Sequence, residues 1–328
     1  MSWLSILALA LQTAIGFQAA YHALAAVGLN LHFGYTGLSN FGHVGFMLVG
    51  AYGVGIAAER GWGLGVGILL GVGAAVVLGL LLGIPTLRLR GDYLAIVTIA
   101  VAEMLRLVAN AGPSARLTGG ARGFGGLSSK LGFYEHNVFE PRPGGYGIGE
   151  SFVFSHQQLW AMLWTWGLTL VACLLVYLLV RSPWGRVLKS IREDEDAARA
   201  LGKNVVVYKL QSFVLGGVIG AFAGMLIVLQ AGAISPSRWI APLTFAIYTV
   251  VILGGAGTIW GPVVGSVVYW FVIQFAEGVI NNLWFDVSDT TVGALRLAIM
   301  GLGLMLLMVY RPQGILGSKK EMLAGARQ

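Results

Sequence analysis

Two apolar runs, LWAMLWTWGLTLVACLLVYLLV (159–180) and KLQSFVLGGVIGAFAGMLIVLQA (209–231), enclose the polar insertion SPWGRVLKSIREDEDAARALGKNVVVYKL (182–210), and this alternation decides the fold class. Each run has the roughly 20 predominantly apolar residues that an α-helix needs to cross the hydrocarbon core of a bilayer. The insertion between them is long and charged enough to sit outside the membrane. The remainder of the chain repeats the pattern.

Further apolar stretches of spanning length lie at 64–84, 93–111, 262–280 and 292–310. Less regular ones lie at 3–30, which holds one long helix or two short ones, at 43–58 and at the Gly-broken 243–258. The expected fold is therefore all-α: a polytopic integral membrane protein of about 8–10 transmembrane helices or half-helices, forming a single transmembrane domain over 1–328. Composition agrees, with 57% hydrophobic and only 11% charged residues and a mean hydropathy of +0.78. An ordinary soluble domain carries about 25% charged residues. The 49 glycines fit a bundle in which small residues let helix backbones approach closely, although compositional bias alone would also supply them.

The net charge of +7 does not point to nucleic acid, because the basic residues flank apolar spans. Eleven of the 21 Lys and Arg residues fall in two segments, 181–209 and the tail 311–328, which are expected to be cytoplasmic. The intervening 281–291 carries Asp286 and Asp289 without a basic residue and is expected outside. Counting back, Arg88 and Arg90 fall inside. The 112–158 segment falls outside as an ordered cap or a flexible loop, despite Arg116, Arg122, Lys130 and Arg142. The first basic residue is Arg60, so the apolar N-terminus lacks the positive region of a signal peptide and is expected to remain as a membrane helix. Cys173 has no partner for a disulfide, the five histidines show no metal-ligand spacing, and no cofactor motif is expected.

The insertion reads as a short helix. Its start is acidic (Glu193 to Asp196), its end basic (Arg199, Lys203), and Gly202 is placed to stop it. Ile191, Ala198 and Leu201 are expected near one face, which would suit insertion into a groove of a partner protein; a solvated loop held by its own ion pairs is the other reading.

The order Asp196, Ala197, Ala198, three residues, Gly202 resembles the coupling-loop motif of bacterial ABC importer permeases, Glu-Ala-Ala then Gly, with Asp replacing Glu. GLNLHFGYTGLSNFGHVGFMLVGAY (28–52), LRLRGDYLAIVTIAVAEMLRLV (87–108), VVILGGAGTIWGPVVGS (250–266) and YRPQGILG (310–317) each resemble segments of branched-chain amino acid permeases, in the family's order. LRLRGDY and the long segment after 111 look more like the M-type (LivM-type) than the H-type (LivH-type) subunit. Urea and short-amide permeases are similar.

The resemblance implies a multi-pass permease subunit of the bacterial inner membrane, not an enzyme itself, moving small apolar amino acids by alternating access. The implied partners are a homologous permease, two ATPase subunits that supply ATP hydrolysis, and an external amino-acid-binding protein. It also implies that Ile191, Asp196, Ala197, Ala198, Leu201 and Gly202 couple to the ATPase. The chain itself has no GxxxxGK[ST] phosphate loop.

Two Gly-broken segments, Gly34 to Gly42 and Gly254 to Pro262, interrupt apolar stretches in the two halves. Irregular backbone at membrane depth survives where protein or a watery cavity satisfies it, so Tyr35, Thr36, Gly37, Asn40, Gly42, His43, Gly254, Gly255 and Gly257 are candidates for the translocation path. Ordinary interfacial loops are the alternative. His43 is expected to hydrogen-bond at the break or to contact substrate. Glu103 and Arg106, one helical turn apart, are expected to form a structural ion pair. A self-powered secondary transporter or channel would instead need such acids as ion sites.

Overall fold

The computed structural model describes residues 2–87, 91–148, 152–283 and 313–317, together with 293, 298, 301, 302, 305 and 310. Most of the span expected over 292–310, the tail from 318, the loop residues 284–291 and Arg88 and Arg90 lie outside the described residues. The described chain is a helical bundle: α1 (Trp3–Ile15), α2 (Phe17–Asn30), α3 (His43–Glu59), α4 (Gly63–Thr86), α5 (Gly91–Asn110), α6 (His156–Arg181), α7 (Pro183–Glu193), α8 (Glu195–Ala200), α9 (Val205–Ala231), α10 (Ala241–Gly254) and α11 (Gly261–Leu283).

Six described helical segments are long and apolar enough to cross a membrane: Trp3–Tyr35, Gly63–Thr86, Tyr93–Asn110, His156–Arg181, Val205–Ala231 and Gly261–Asn282. The protein is thus an all-α polytopic membrane protein. The 3–30 stretch is two helices, because Gly16 adopts an extended backbone and caps α1 with its own amide on Thr13 O.

Local sequence explains other boundaries. Ser155 and Gln158 form a reciprocal capping box at the start of α6, satisfying backbone donors that the first turn leaves unpaired. At the far end Ser182 turns extended and Pro183 opens α7, where its missing N–H is no loss.

The most buried of the spanning helices is α9, which packs against α2, α3 and α4. Where α2 crosses it, a Cβ on Gly28 would overlap Gly216 O and a Cβ on Gly216 would overlap Gly28 O, so the two backbones are in direct contact. This is the use for glycine that a bilayer demands, since association there relies on close packing and on hydrogen bonds between helices. Hydroxyls add such bonds: Thr169 Oγ1 donates to Ala20 O at 3.3 Å and Ser266 Oγ to Ala19 O at 2.5 Å.

The α9 C-terminus is tied to the connection between α5 and α6. Phe124–Gly125 pairs antiparallel with Ala233–Ile234, Leu127 N donates to Gly232 O, and Lys130 pairs with Glu59 at the end of α3. Tyr146–Ile148 pairs with Phe152–Phe154. The described part of this connection lies over the bundle end opposite α7 and α8.

Candidate functional site

The first break begins where α2 widens into a π-helical turn, Leu31–Tyr35, a form that often marks functional sites. The chain then doubles back through 36–42 and restarts as α3. The carbonyls released by this geometry are re-paired: Thr36 Oγ1 and Ser212 Oγ donate to Leu31 O at 2.8 and 3.2 Å, and Leu38 N donates to His32 O at 2.9 Å. Asn40 accepts from Gly42 N at 3.1 Å and donates to His32 Nδ1 at 3.2 Å, which fixes the His32 tautomer whose Nε2 donates to Phe213 O at 2.9 Å. His43 Nε2 donates to Ala25 O at 3.0 Å, a bond to the middle of α2 rather than to the break itself. Tyr35, Thr36, Asn40 and His43 are all buried; Thr36, Asn40 and His43 Nε2 bond within the bundle, while His43 Nδ1 is buried without a partner among the described residues.

The second break ends α10 at Gly254 and resumes with α11 at Gly261. Gly255 and Gly257 take positive φ, 112° and 78°, within it. The last carbonyls of α10 are paired by the 313–317 segment, with Ile315 N on Leu253 O at 2.9 Å and Leu316 N on Gly254 O at 3.0 Å. The described part of the YRPQGILG motif therefore closes this helix end.

The structure brings the two breaks together, which their positions in sequence do not reveal. Asn30 Nδ2 donates to Thr258 O at 2.8 Å and its Oδ1 accepts from Gly257 N at 2.8 Å. The backbones meet at Gly34, where a Cβ would overlap both Gly257 N and Asn30 Oδ1. A third element reaches the same point: Arg192 Nη1, from the last turn of α7, donates to Gly34 O. Sequence reasoning missed Asn30 and Arg192; an Asn deep in an apolar helix was the only local signal for the first, and nothing local marks the second.

The insertion is two short helices, not one. Asp194, in extended conformation, ends α7 and caps α8 by accepting from Ala197 N at 2.9 Å. Glu195 bonds Arg199 at 2.9 Å and Lys209 at 2.5 Å, and Asp196 bonds Arg199 at 3.1 Å, so the segment is held by its own ion pairs and to the base of α9. Gly202, φ 76°, follows the helix end as expected.

The expectation of one face is corrected. Ile191 and Ala198 are buried together with Val205 against Val187 and Tyr208, whereas Leu201 is 79% exposed. Helical spacing fails here because α8 stops at Ala200 and Leu201 already belongs to the turn. Ala197 is exposed.

Elsewhere, Glu103 and Arg106 form the expected pair, at 2.9 and 2.5 Å. At the bundle end opposite α7 and α8, a polar cavity of about 320 Å³ opens beside the start of α2, lined by Gln12, Gln18, Gln158, Gln230, Arg238 and Gln274 among others.

A bundle of spanning-length helices with two helix breaks, a charged helical insertion at one end and a long connection over the other is a multi-pass membrane protein. A family model described as the permease component of branched-chain amino acid transport systems matches residues 12–310, and the chain belongs to that family. It is 29% identical over 309 residues to the high-affinity branched-chain amino acid transport system permease protein LivM of Salmonella typhimurium, and equally to that of Escherichia coli, covering 92% of this chain and 69% of theirs. The LivH permease protein of Escherichia coli is 27% identical over 172 residues, 52% of this chain and 51% of that one. Similarity to the M-type protein thus spans nearly the whole chain, as the LRLRGDY segment suggests, and similarity to the H-type about half.

Proposed function

We propose that this chain is an M-type permease subunit of a bacterial inner-membrane ABC importer for branched-chain or similarly small apolar amino acids. It pairs with a homologous permease, receives substrate from an external binding protein and alternates between outward-open and inward-open states. Two ATPase subunits dock on the α7–α8 end and supply the energy. In this reading α7 and α8, with the 311–328 tail, are cytoplasmic, and the 112–158 cap and 281–291 are external.

The observation that carries the coupling role is the placement of the α8 segment. It is capped, ion-paired and seated on the base of the most buried spanning helix, yet presents Leu201 outward. Such a segment is stiff enough to pass a push from a partner into the bundle, which a loop without contacts would not do. ATP binding would favour one membrane state through its differential contacts with this segment. The substrate class is supported by the family and by relatives named for branched-chain amino acid transport.

Purification of the chain from its native membrane tests the assembly, and uptake by the reconstituted complex tests the substrate. ATPase subunits should co-purify, and labelled leucine, isoleucine or valine should be imported in preference to urea and acetamide. A chain that purifies without an ATPase and transports under an ion gradient alone would overturn the reading.

A further inference from the structure

We propose that Arg192 is the positioning residue through which the α8 segment moves the junction of the two helix breaks. The inference rests on the coupling role proposed above and adds the route that this role requires inside the membrane domain.

The geometry is specific. Arg192 lies in the last turn of α7, two residues before the Asp194 cap of α8, so a displacement of α8 reaches its backbone across a single bend. On the other side the extended Ser182 makes the bend between α6 and α7, and α7 is seated on the end of α6, where a Cβ on Gly185 would overlap Val180 O. Although the residue is exposed at the surface, its guanidinium is turned inward and Nη1 donates to Gly34 O, one of the carbonyls that a helix end leaves without an intrahelical partner. Its stem runs along Gly37, where a Cβ would lie 3.3 Å from Arg192 Cγ, and a Cβ on Gly257 would lie 2.9 Å from Nη1. Three segments remote in sequence therefore converge on one side chain: the insertion, the first break and the second break.

The junction moves as a unit because its two halves are locked to each other. Gly34 and Gly257 are in backbone contact, and Asn30 bonds both Gly257 and Thr258. A pull on the Gly34 carbonyl is consequently a pull on both breaks. A charge-assisted bond from a planar guanidinium with a packed stem holds direction as well as distance, which a water-filled gap would not.

The test uses the assembled transporter, purified with its partner subunits, reconstituted in liposomes and supplied with binding protein. Arg192→Met keeps the stem on Gly37 and removes every donor, while Arg192→Lys keeps the charge without the fork. The readout is substrate imported per ATP hydrolysed, because a loss of folded molecules lowers both quantities together and leaves their ratio unchanged. We expect Arg192→Met to retain its ATPase subunits and a basal hydrolysis rate within about twofold of wild type, while the ratio falls roughly tenfold and Arg192→Lys lies between. An unchanged ratio in Arg192→Met overturns the proposal. If that variant does not assemble, an unchanged ratio in Arg192→Lys overturns it. A wild-type chain that carries no ATPase would remove the coupling reading itself, an outcome distinct from an intact coupled transporter indifferent to Arg192.

Discussion

The carboxamide of Asn30 joins chain segments 227 residues apart, accepting from Gly257 N and donating to Thr258 O, each at 2.8 Å. Asn30 is 2% exposed, whereas Gly257 and Thr258 are only partly buried. Replacing Asn30 with Leu, similar in size but without polar atoms, would remove both bonds at about 0.5–1.5 kcal/mol each. The expected result is a clear drop in the melting temperature of the purified protein in detergent, accompanied by loss of uptake. A melting temperature equal to wild type would show that the bridge does not hold the junction.

Gly34 offers a second probe of the same place. A methyl group there would overlap Gly257 N and Asn30 Oδ1, and both are fixed by their mutual hydrogen bond. Gly34→Ala should therefore force the two breaks apart while leaving the spanning helices able to insert. Uptake normalised to the protein level in the membrane is expected to fall by roughly tenfold or more, since overpacking a tight contact costs about 1–3 kcal/mol. Uptake at the wild-type rate would remove the junction from the working parts of the transporter.

Much of this architecture is legible in the sequence because it depends on local properties. Span length fixes most of the described helices, and Gly-Tyr-Thr-Gly at 34–37 announces a break between α2 and α3. The meeting of Asn30 with Gly257 is not legible, because no periodicity relates residues on different helices and each break looks complete on its own. Ala198 and Leu201 illustrate a different limit. Three residues apart on a continuous helix they would share a face, but the helix ends between them, and a boundary error of a single residue sends one side chain into the core and the other to the surface.

Orientation can be tested at residues that the structure exposes on the two ends. In a Cys173→Ser background, Val138→Cys in the cap and Lys203→Cys beside α8 place thiols at exposed positions. In intact cells stripped of any outer barrier, the thiol at 138 should react with a membrane-impermeant maleimide and the thiol at 203 only after permeabilisation. The reverse pattern would invert the topology and remove α8 from the side where ATP is available.

The split between Ala198 and Leu201 makes the coupling role separable from the integrity of the segment. Ala198 is 2% exposed beside Ile191 and Val205, so Ala198→Trp has to displace neighbours within this chain before any partner is considered. It should loosen α8 from the base of α9, at about 1–3 kcal/mol for an overfilled site. Leu201→Asp touches none of that core, since the side chain is 79% exposed. Substitutions at such surface positions usually change stability by no more than about 0.5 kcal/mol, so expression and melting should stay near wild type. If Leu201 fills an apolar contact on an ATPase subunit, burying a carboxylate there is heavily unfavourable, and co-purifying ATPase should fall roughly tenfold or more. Retention of the ATPase by Leu201→Asp, with full stimulation by binding protein and substrate, would show that the exposed tip of this segment is not the docking contact.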